Sequence, residues 1–312
     1  MKLGQIRDVI AIVEFGTLRA AAQSLGLAQP ALSRSVRELE HELGIDLFER
    51  HARGMKLTVF GEAFVRRARL AQSELQRSRE EIDQLKGLTT GQITVGLSTV
   101  ASIALLPRVL GPFRSRFHGV WLKVLEGLFP ALRRLLLEGM LDFYVGPVID
   151  NPIPRELVLE RVLQNERAVF CRIGHPLRSA RTLAQLVSAG WVGTTLSEHR
   201  GAELDPVFRK YGLQPPVIEV ETSSSLNAIT VAGHSDLLVM LPRQYLRYPA
   251  ACELLTCIDV VEKIDAPDIY LVRRTGLPLT PAAEFFSDLF RRAAAAEQNF
   301  DSQLRPGFTQ SE

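Results

Sequence analysis

A three-residue turn between two short helices is the feature of this chain that most restricts its fold. The apolar spacing predicts one helix over residues 18–25, and only residues 27–29 separate the following glycine from Pro30. Proline suits the first position of a helix because its missing N–H has no partner there. A further helix is therefore predicted over 30–43, where Gly44 ends it. Two helices joined by so short a turn form a helix-turn-helix.

The helix after the turn carries side chains suited to reading DNA. An earlier apolar stripe over residues 3–13 predicts a first helix, and packing three helices together leaves one face of the last exposed. The residues predicted on that face are Gln29, Pro30, Ser33, Arg34 and Arg37. A helix N-terminus favours phosphate, arginine bonds guanine, and glutamine bonds adenine. The alternative for Arg34 and Arg37 is pairing with Glu38 and Glu40 on the helix surface.

A basic hairpin is predicted directly after the three helices. Residues 46–58 read as two short extended pieces that turn at Arg53 and Gly54, with Arg50 and Lys56 also exposed. A hairpin of this size and charge is typical of a DNA-binding wing. A small helical unit with a few arginines would also suit a protein-interaction module, but the helix-turn-helix, its phosphate-facing N-terminus and the wing together favour DNA.

A long helix is predicted over 61–86, where charges recur and proline is absent. Its apolar positions alternate spacings of four and three, which is the pattern of a short coiled coil. The seam residues are Phe64, Ala68, Ala71, Leu75, Ile82 and Leu85. Pairing with a second copy would place two recognition helices on one duplex and favour an inverted-repeat site. The alternative is that this stripe packs on the C-terminal domain of its own chain.

From residue 92 the pattern changes to short apolar runs that alternate with helical segments. This alternation predicts crossover units and a largely parallel sheet. The predicted strands are 93–97, 120–125, 141–145, 166–171, 191–193, 217–220, 236–240 and 269–272, with helices over 103–113 and 131–137 and a last helix from residue 281.

The stretch AAAQSLGLAQPALSRSVRELEHELGIDLFERHARGMKLTVFGE resembles the winged helix-turn-helix of LysR-type transcriptional regulators. The resemblance implies an N-terminal all-α winged helix-turn-helix with a long linker helix, and a C-terminal α/β effector domain of two lobes, like a periplasmic binding protein. Members of the family commonly assemble as tetramers from two kinds of dimer. Ala28 departs from the family, which commonly has Ser or Thr there, so one capping or phosphate contact is not expected.

The resemblance also implies the domain boundaries. The DNA-binding domain spans 1–58, the linker and dimerisation helix 59–87, a hinge 88–91 and the effector-binding domain 92–300, before a flexible tail at 301–312. Within the effector domain, lobe I covers about 92–162 and 268–300, and lobe II about 163–267.

Ligands of such folds sit at the carboxyl ends of strands and between lobes. The residues expected there are Ser98, Thr99, Val100, Leu128, Phe129, Pro130, Gly146, Pro147, Thr195, Ser197 and Ser223. Hydroxyl and amide donors on one side and apolar walls on the other suit a small aromatic or other organic acid, a carboxylate or a sulfonate. The alternative is that these serines and threonines only cap helices.

The remaining features predict an intracellular regulator. A net charge of +2 excludes wholesale coating of nucleic acid but allows a local basic surface. The N-terminus lacks the apolar segment of a signal peptide, the apolar runs are too short to cross a membrane, and three cysteines suit a reducing cytoplasm. Double-stranded DNA, a small effector and further copies of the chain are the expected partners, and RNA polymerase is a candidate.

The sequence lacks catalytic and metal-binding patterns. The six histidines lack metal-ligand spacing, and neither a nucleophile elbow nor a phosphate loop is present in the sequence. No cofactor, no metal and no enzymatic activity are therefore expected. Two rivals remain: an enzymatic α/β domain fused to a DNA-binding head, which needs a catalytic cluster, and a solute-binding domain so fused, which as a transport protein would need export.

Overall fold

Three helices and a hairpin form the N-terminal unit in the computed structural model, which describes residues 1–51, 54–149, 152–194 and 203–303. The elements are α1 (Leu3–Phe15), α2 (Leu18–Ser24), α3 (Gln29–Leu43), β1 (Phe48–His51) and β2 (Gly54–Leu57). Val9, Ile12, Ala21, Leu32 and Leu39 form the centre of their core. The predicted helix-turn-helix and wing are therefore present.

The wing is tied to the helices at its second strand. Gly54 has a φ of 133°, and a Cβ there would lie 2.7 Å from the carbonyl oxygen of Gly16. The next amide, that of Met55, donates to the same oxygen at 3.1 Å. Only glycine combines this backbone conformation with so close an approach.

The long helix α4 (Val59–Leu85) begins two residues before the predicted start at Gly61. The reason is Thr58, whose hydroxyl accepts the amide hydrogen of Gly61 at 3.0 Å and caps the helix. Gly61 itself lies against the wing, because a Cβ there would lie 2.1 Å from the carbonyl oxygen of Leu47. The first turn of α4 is therefore packed closely against the residue that precedes β1.

Two five-stranded sheets make up the C-terminal part. The first half of lobe I contains β3 (Gln92–Leu97), α5 (Thr99–Ala104), α6 (Leu106–Arg116), β4 (Trp121–Glu126), α7 (Phe129–Leu137), β5 (Phe143–Pro147) and β6 (Leu157–Leu163). Lobe II contains β7 (Arg167–Arg172), β8 (Gly190–Thr194), α8 (Leu204–Lys210), β9 (Val217–Thr222), α9 (Ser225–Gly233), β10 (Leu238–Pro242), α10 (Pro249–Cys252) and β11 (Leu255–Ile258). The chain returns to lobe I through β12 (Ile269–Arg274) and α11 (Pro281–Gln303).

In each sheet, two of the four strand pairs are parallel and the other two are antiparallel. The strand orders are β4-β3-β5-β12-β6 in lobe I and β11-β7-β10-β8-β9 in lobe II. In lobe I, β3 pairs in parallel with β4 and β5, whereas β12 is antiparallel to both β5 and β6. Four strands of each sheet run in the same direction, as a largely parallel sheet requires, and one strand runs opposite to them, β12 in lobe I and β7 in lobe II. In lobe I the reason is that β6 leaves the lobe and β12 re-enters it alongside.

Three local predictions differ from the structure. The crossing strand predicted near Leu163 is the end of the longer strand β6, and β11, which has only four residues, was not predicted. The helix expected over 103–113 is two helices that meet at Leu105. Pro107 stands in the first turn of the second and cannot donate a helical hydrogen bond, which accounts for the break.

The two lobes touch at one end of α5. Ile103 of α5 packs against the lobe II cluster that contains Phe170 and Tyr245. Tyr245 lies in a 3₁₀ turn, Arg243–Arg247, that follows β10. The two lobes are therefore in contact through the last turn of α5.

Candidate functional site

The early face of α3 is open to solvent. Gln29, Pro30, Arg34 and Arg37 are exposed, and Ser33 is half-buried. Lys56 of the wing is exposed as well. Arg50 lies in β1, but its side chain is outside the described part of the structure, and so is the whole of Arg53. The predicted basic residues that are described, Arg34, Arg37 and Lys56, therefore all lie on the surface of the N-terminal unit.

The two arginines of α3 are available for contact with a partner. Neither Arg34 nor Arg37 makes an ion pair with a residue in the ranges that the structure describes. One of the expected competitors, Glu40, instead accepts the backbone N–H groups of Leu47 and Phe48 at 2.8 and 3.2 Å. Glu40 therefore holds the wing against α3 and does not neutralise the exposed face.

A buried carboxylate that the sequence analysis missed positions α3. Asp8 of α1 is only 4% exposed, and its Oδ2 atom accepts the hydroxyl of Ser35 at 2.6 Å. Arg7 donates to the other oxygen of Asp8 at 2.8 Å. Asp8 stands inside the apolar stripe of the first helix, and a charge at a core-facing position is the signal that could have revealed it.

A cavity of about 110 Å³ lies between the two lobes. Of the predicted effector residues, Ser98, Thr99, Val100, Leu128, Pro147 and Ser223 line it. Phe129 packs in the lobe I core against Tyr144, with ring centroids 5.5 Å apart, and Pro130 faces solvent. Gly146 is buried beside Tyr144. Thr195 and Ser197 lie outside the described residues.

Two of the lining hydroxyls also have structural roles. The Ser98 hydroxyl accepts the amide hydrogen of Ala101 at 3.3 Å, so Ser98 caps α5. Thr99 donates its hydroxyl to Glu126 at 2.8 Å. Ser224, and not Ser223, caps α9. The capping alternative therefore describes Ser98, whereas Ser223 lines the cavity without being the cap.

The charged groups of the cavity were not predicted. Nη2 of Arg167, at the start of β7, lies 3.1 Å from Oε1 of Glu203, just before α8, and both side chains are 9% exposed. The hydroxyl of Thr194 also donates to Glu203. Burial raises the pKa of Glu203, and Arg167 and Thr194 oppose that rise. In the sequence, Arg167 directly precedes the apolar run 168–171 of β7, and a charge beside a buried run is the one available signal for it.

Two further polar groups of the cavity have unused hydrogen-bonding capacity. Tyr245 is 2% exposed, and burial raises its pKa to about 12. The hydroxyls of Ser225 and Thr99 lie beside its own and oppose the rise in pKa, although neither contact has the geometry of a full hydrogen bond. Asn165, 5% exposed, donates its amide to the carbonyl of Pro267 at 3.3 Å, while its Oδ1 has no described partner.

The predicted seam of α4 divides into two parts. Ala68 is buried, and with Phe64 it packs on Ile6 and Ile10 of α1 in its own chain. The remaining seam residues are exposed: Ala71, Leu75, Ile82 and Leu85. Ala68, predicted to face a second copy, is therefore covered within the chain, because α1 crosses the start of α4. The apolar surface available to a second copy lies in the later turns.

A different, polar face of α4 docks on lobe I. Arg69 pairs with Glu138 at 2.9 Å, and Arg274 of β12 pairs with Glu74 at 2.8 Å. The hydroxyl of Ser73 donates to the carbonyl oxygen of Gly139 at 2.7 Å. Lobe I is therefore held to α4 by charged and polar contacts, which leave the late apolar seam uncovered.

Within the ranges that the structure describes, His, Cys, Asp and Glu residues form no group suited to holding a metal ion.

The helices of the described ranges include none with the length and apolar character needed to span a bilayer.

Comparisons with known proteins agree with this architecture. The LysR substrate binding domain matches residues 86–295, and the bacterial regulatory helix-turn-helix of the lysR family matches residues 3–62. The SDS degradation transcriptional activation protein of Pseudomonas sp. is 30% identical over 288 residues, which cover 90% of this chain and 93% of that protein. The RuBisCO operon transcriptional regulator of Allochromatium vinosum is 28% identical over 307 residues, 95% of this chain and 97% of that protein.

Solved structures share the fold. The LysR family regulator CbnR has a TM-score of 0.67 at 20% identity, covering 94% of this chain and 99% of CbnR. CbnR in complex with its target DNA has a TM-score of 0.54 at 20% identity, with 94% and 100% covered. With both domains matched over most of its length, this chain belongs to the LysR-type family of DNA-binding transcriptional regulators that carry a substrate-binding domain.

Proposed function

We propose that this protein regulates transcription as a homo-oligomer that binds an inverted-repeat promoter site and responds to a small organic acid. The observation that carries the proposal is the exposed early face of α3, where Arg34 and Arg37 lack described ion-pair partners beside a basic wing. Arginine at the start of a helix that enters the major groove reads guanine. Gln29 precedes Pro30 at the same helix end, where it can reach adenine or phosphate.

Binding to an inverted-repeat site requires two copies of the chain. The exposed late seam of α4, formed by Leu75, Ile82 and Leu85, is the surface proposed to pair with a second copy. Two-fold pairing presents α3 twice, so half-sites on the DNA are related by the same symmetry. The family commonly builds tetramers from such dimers, and the proposal extends to a tetramer.

The cavity between the lobes is the proposed effector site. It combines hydroxyls at the start of α5 with apolar walls such as Leu128 and Met240, and it contains the guanidinium of Arg167. Its volume of about 110 Å³ is below the roughly 300–1000 Å³ of drug-sized ligand pockets. The effector is therefore a small molecule, an aromatic or other organic acid of about the size of one ring.

Effector binding is proposed to act on DNA through α4. This helix begins at the wing and docks on lobe I, so a change in the lobes alters the relative placement of the two DNA-binding units. Such a change would alter half-site spacing or DNA bending, and RNA polymerase is the candidate partner at the promoter. The protein is proposed to act in the cytoplasm, as a regulator and not as an enzyme.

The experiment that tests this function combines DNA binding with a ligand screen. Purified protein is titrated by fluorescence anisotropy against DNA from upstream of its own gene and against random duplex. A thermal-shift screen of small carboxylic and sulfonic acids then identifies ligands, and each hit is added to the DNA titration. Specific DNA binding that a hit alters supports the proposal, whereas equal binding to both duplexes contradicts it.

A further inference from the structure

One cation and one carboxylate face the interlobe cavity among the lining residues that the structure describes, and they face each other. Arg167 Nη2 and Glu203 Oε1 are 3.1 Å apart, and each side chain is 9% exposed. The charges of the cavity wall therefore cancel. An acid that entered this space as it stands would add an uncompensated negative charge beside Glu203, which is costly in a buried site.

The pair is not explained by stability. Buried ion pairs contribute little net stability compared with apolar residues of similar volume, because desolvation offsets their attraction. The same cavity also contains Oδ1 of Asn165, which is buried and without a described hydrogen-bond partner. Buried polar atoms are almost always hydrogen-bonded, so an unpartnered one that lines a cavity marks a place where a ligand can bond.

We infer that Arg167 is the site where the carboxylate of the effector binds, and that Glu203 occupies this site in the effector-free protein. The inference rests on the proposed function, since it takes this cavity as the effector site. Glu203 has the chemistry of the ligand group that it replaces: a carboxylate that accepts one N–H of the guanidinium. An acid effector binds by exchange, taking the guanidinium while Glu203 leaves it.

The exchange has a structural consequence in lobe II. Glu203 immediately precedes α8, whose Phe208 is fully buried. Phe208 packs edge-on against Trp191 of β8, with ring centroids 5.5 Å apart. Displacement of Glu203 therefore acts directly on the first turn of a helix that is anchored in the lobe II core. An uncharged ligand could not compete for Arg167 and would leave this contact intact.

Formate, the smallest carboxylate, provides a test that needs no knowledge of the effector. The Glu203→Ala variant removes the side chain that fills the site, so formate should bind beside Arg167 and raise the melting temperature in a saturable way. Sodium chloride at equal ionic strength is the reference. We expect formate to bind the variant at least about tenfold more tightly than wild type, a difference of about 1.4 kcal/mol. The double variant Arg167→Met, Glu203→Ala should lose this gain.

A matched control lies on the same strand as Arg167. Arg172 pairs with Asp236 at 2.6 Å, but this pair is largely exposed. The Asp236→Ala variant should show no formate-specific stabilisation. If the Glu203→Ala variant does not fold, the Glu203→Gln variant replaces it; removing the negative charge should still make formate bind more tightly than in wild type.

Equal formate effects in wild type, the Glu203 variant and the double variant would overturn the inference, and so would no effect of formate on the Glu203 variant. These results are independent of the DNA titrations. If the protein binds its promoter specifically but formate does not stabilise the Glu203→Ala variant, only the proposed role of Arg167 and Glu203 is wrong. If formate stabilises that variant but promoter binding is not specific, the carboxylate site stands and the proposed regulatory function is wrong.

Discussion

Arg77 of the linker helix donates to the carboxylate of Asp142 in lobe I at 3.0 Å, and both side chains are buried. Arg77 also donates to the carbonyl oxygens of Gly139 and Leu141 at 2.9 and 3.3 Å. Asp142 in turn accepts the amide hydrogen of Thr94 at 2.7 Å. Burial raises the pKa of Asp142, and Arg77 is the main group that opposes this. The two residues thus join the linker helix to the sheet of lobe I.

The Arg77→Ala substitution should destabilise this junction strongly. It leaves Asp142 buried without its charge partner, and breaking a buried pair in this way costs about 3–5 kcal/mol. The measurement is urea unfolding of the full chain, followed by circular dichroism. Arg79 is exposed on the same helix and supplies the control, because Arg79→Ala should change the free energy of unfolding by less than about 0.5 kcal/mol. Equal effects of the two substitutions would show that the junction does not depend on the buried pair.

The Ile82→Glu substitution should dissociate the proposed dimer and leave each chain folded. Ile82 is 51% exposed within the chain, so a charge there is tolerated by the monomer but not in an apolar seam between two helices. Sedimentation velocity should show a shift from oligomer to monomer, with an unchanged circular dichroism spectrum. Lys86→Glu, four residues further on at an exposed position, is the control. An Ile82 variant that sediments like wild type would place the oligomer contact elsewhere.

Arg34→Ala and Lys56→Ala should weaken DNA binding in different ways. Loss of a base-reading arginine costs about 1–3 kcal/mol on the specific site and relaxes base preference there, whereas loss of a phosphate contact weakens binding evenly. Removing Lys56 should therefore reduce the slope of log affinity against log salt by about one. Titrations of the specific and random duplexes over several salt concentrations separate the two patterns. If both variants lose affinity equally for every sequence, Arg34 does not read a base in the way proposed.

The three cysteines should differ in reactivity with iodoacetamide. Cys171 is fully buried, and burial raises its pKa to about 11, so little thiolate is present at pH 8. Burial also raises the pKa of Cys257, while Cys252 is exposed. Peptide mass spectrometry after brief alkylation of the native protein should find label on Cys252 first. Fast labelling of Cys171 in the folded protein would mean that lobe II opens readily.

Local patterns predict the N-terminal unit well because its determinants are close together in sequence. Gly16, Pro30 and Gly44 mark helix ends, and the exposed face of α3 follows from its apolar spacing. The hydroxyls at Ser98 and Thr99 were predicted for the same reason, since they stand at the junction of a strand and a helix.

The charged contacts could not be predicted in this way. Arg167 and Glu203 are separated by 36 residues, and Arg274 and Glu74 by 200, so only the tertiary fold brings each pair together. Their residue types also mislead, because a charge in a sequence indicates an exposed position far more often than a buried one. The docking of α4 on lobe I through its polar face could not be predicted for the same reason, because its partners are distant in sequence.

The most direct test of the account is a competition experiment on the DNA-binding face. Wild-type protein bound to a labelled fragment from upstream of its own gene is challenged with unlabelled fragment or with random duplex, at several salt concentrations. The account predicts that the specific fragment competes about 10³-fold or more better than random duplex at physiological salt. Equal competition by the two duplexes at every salt concentration would contradict it, because α3 would then read no sequence.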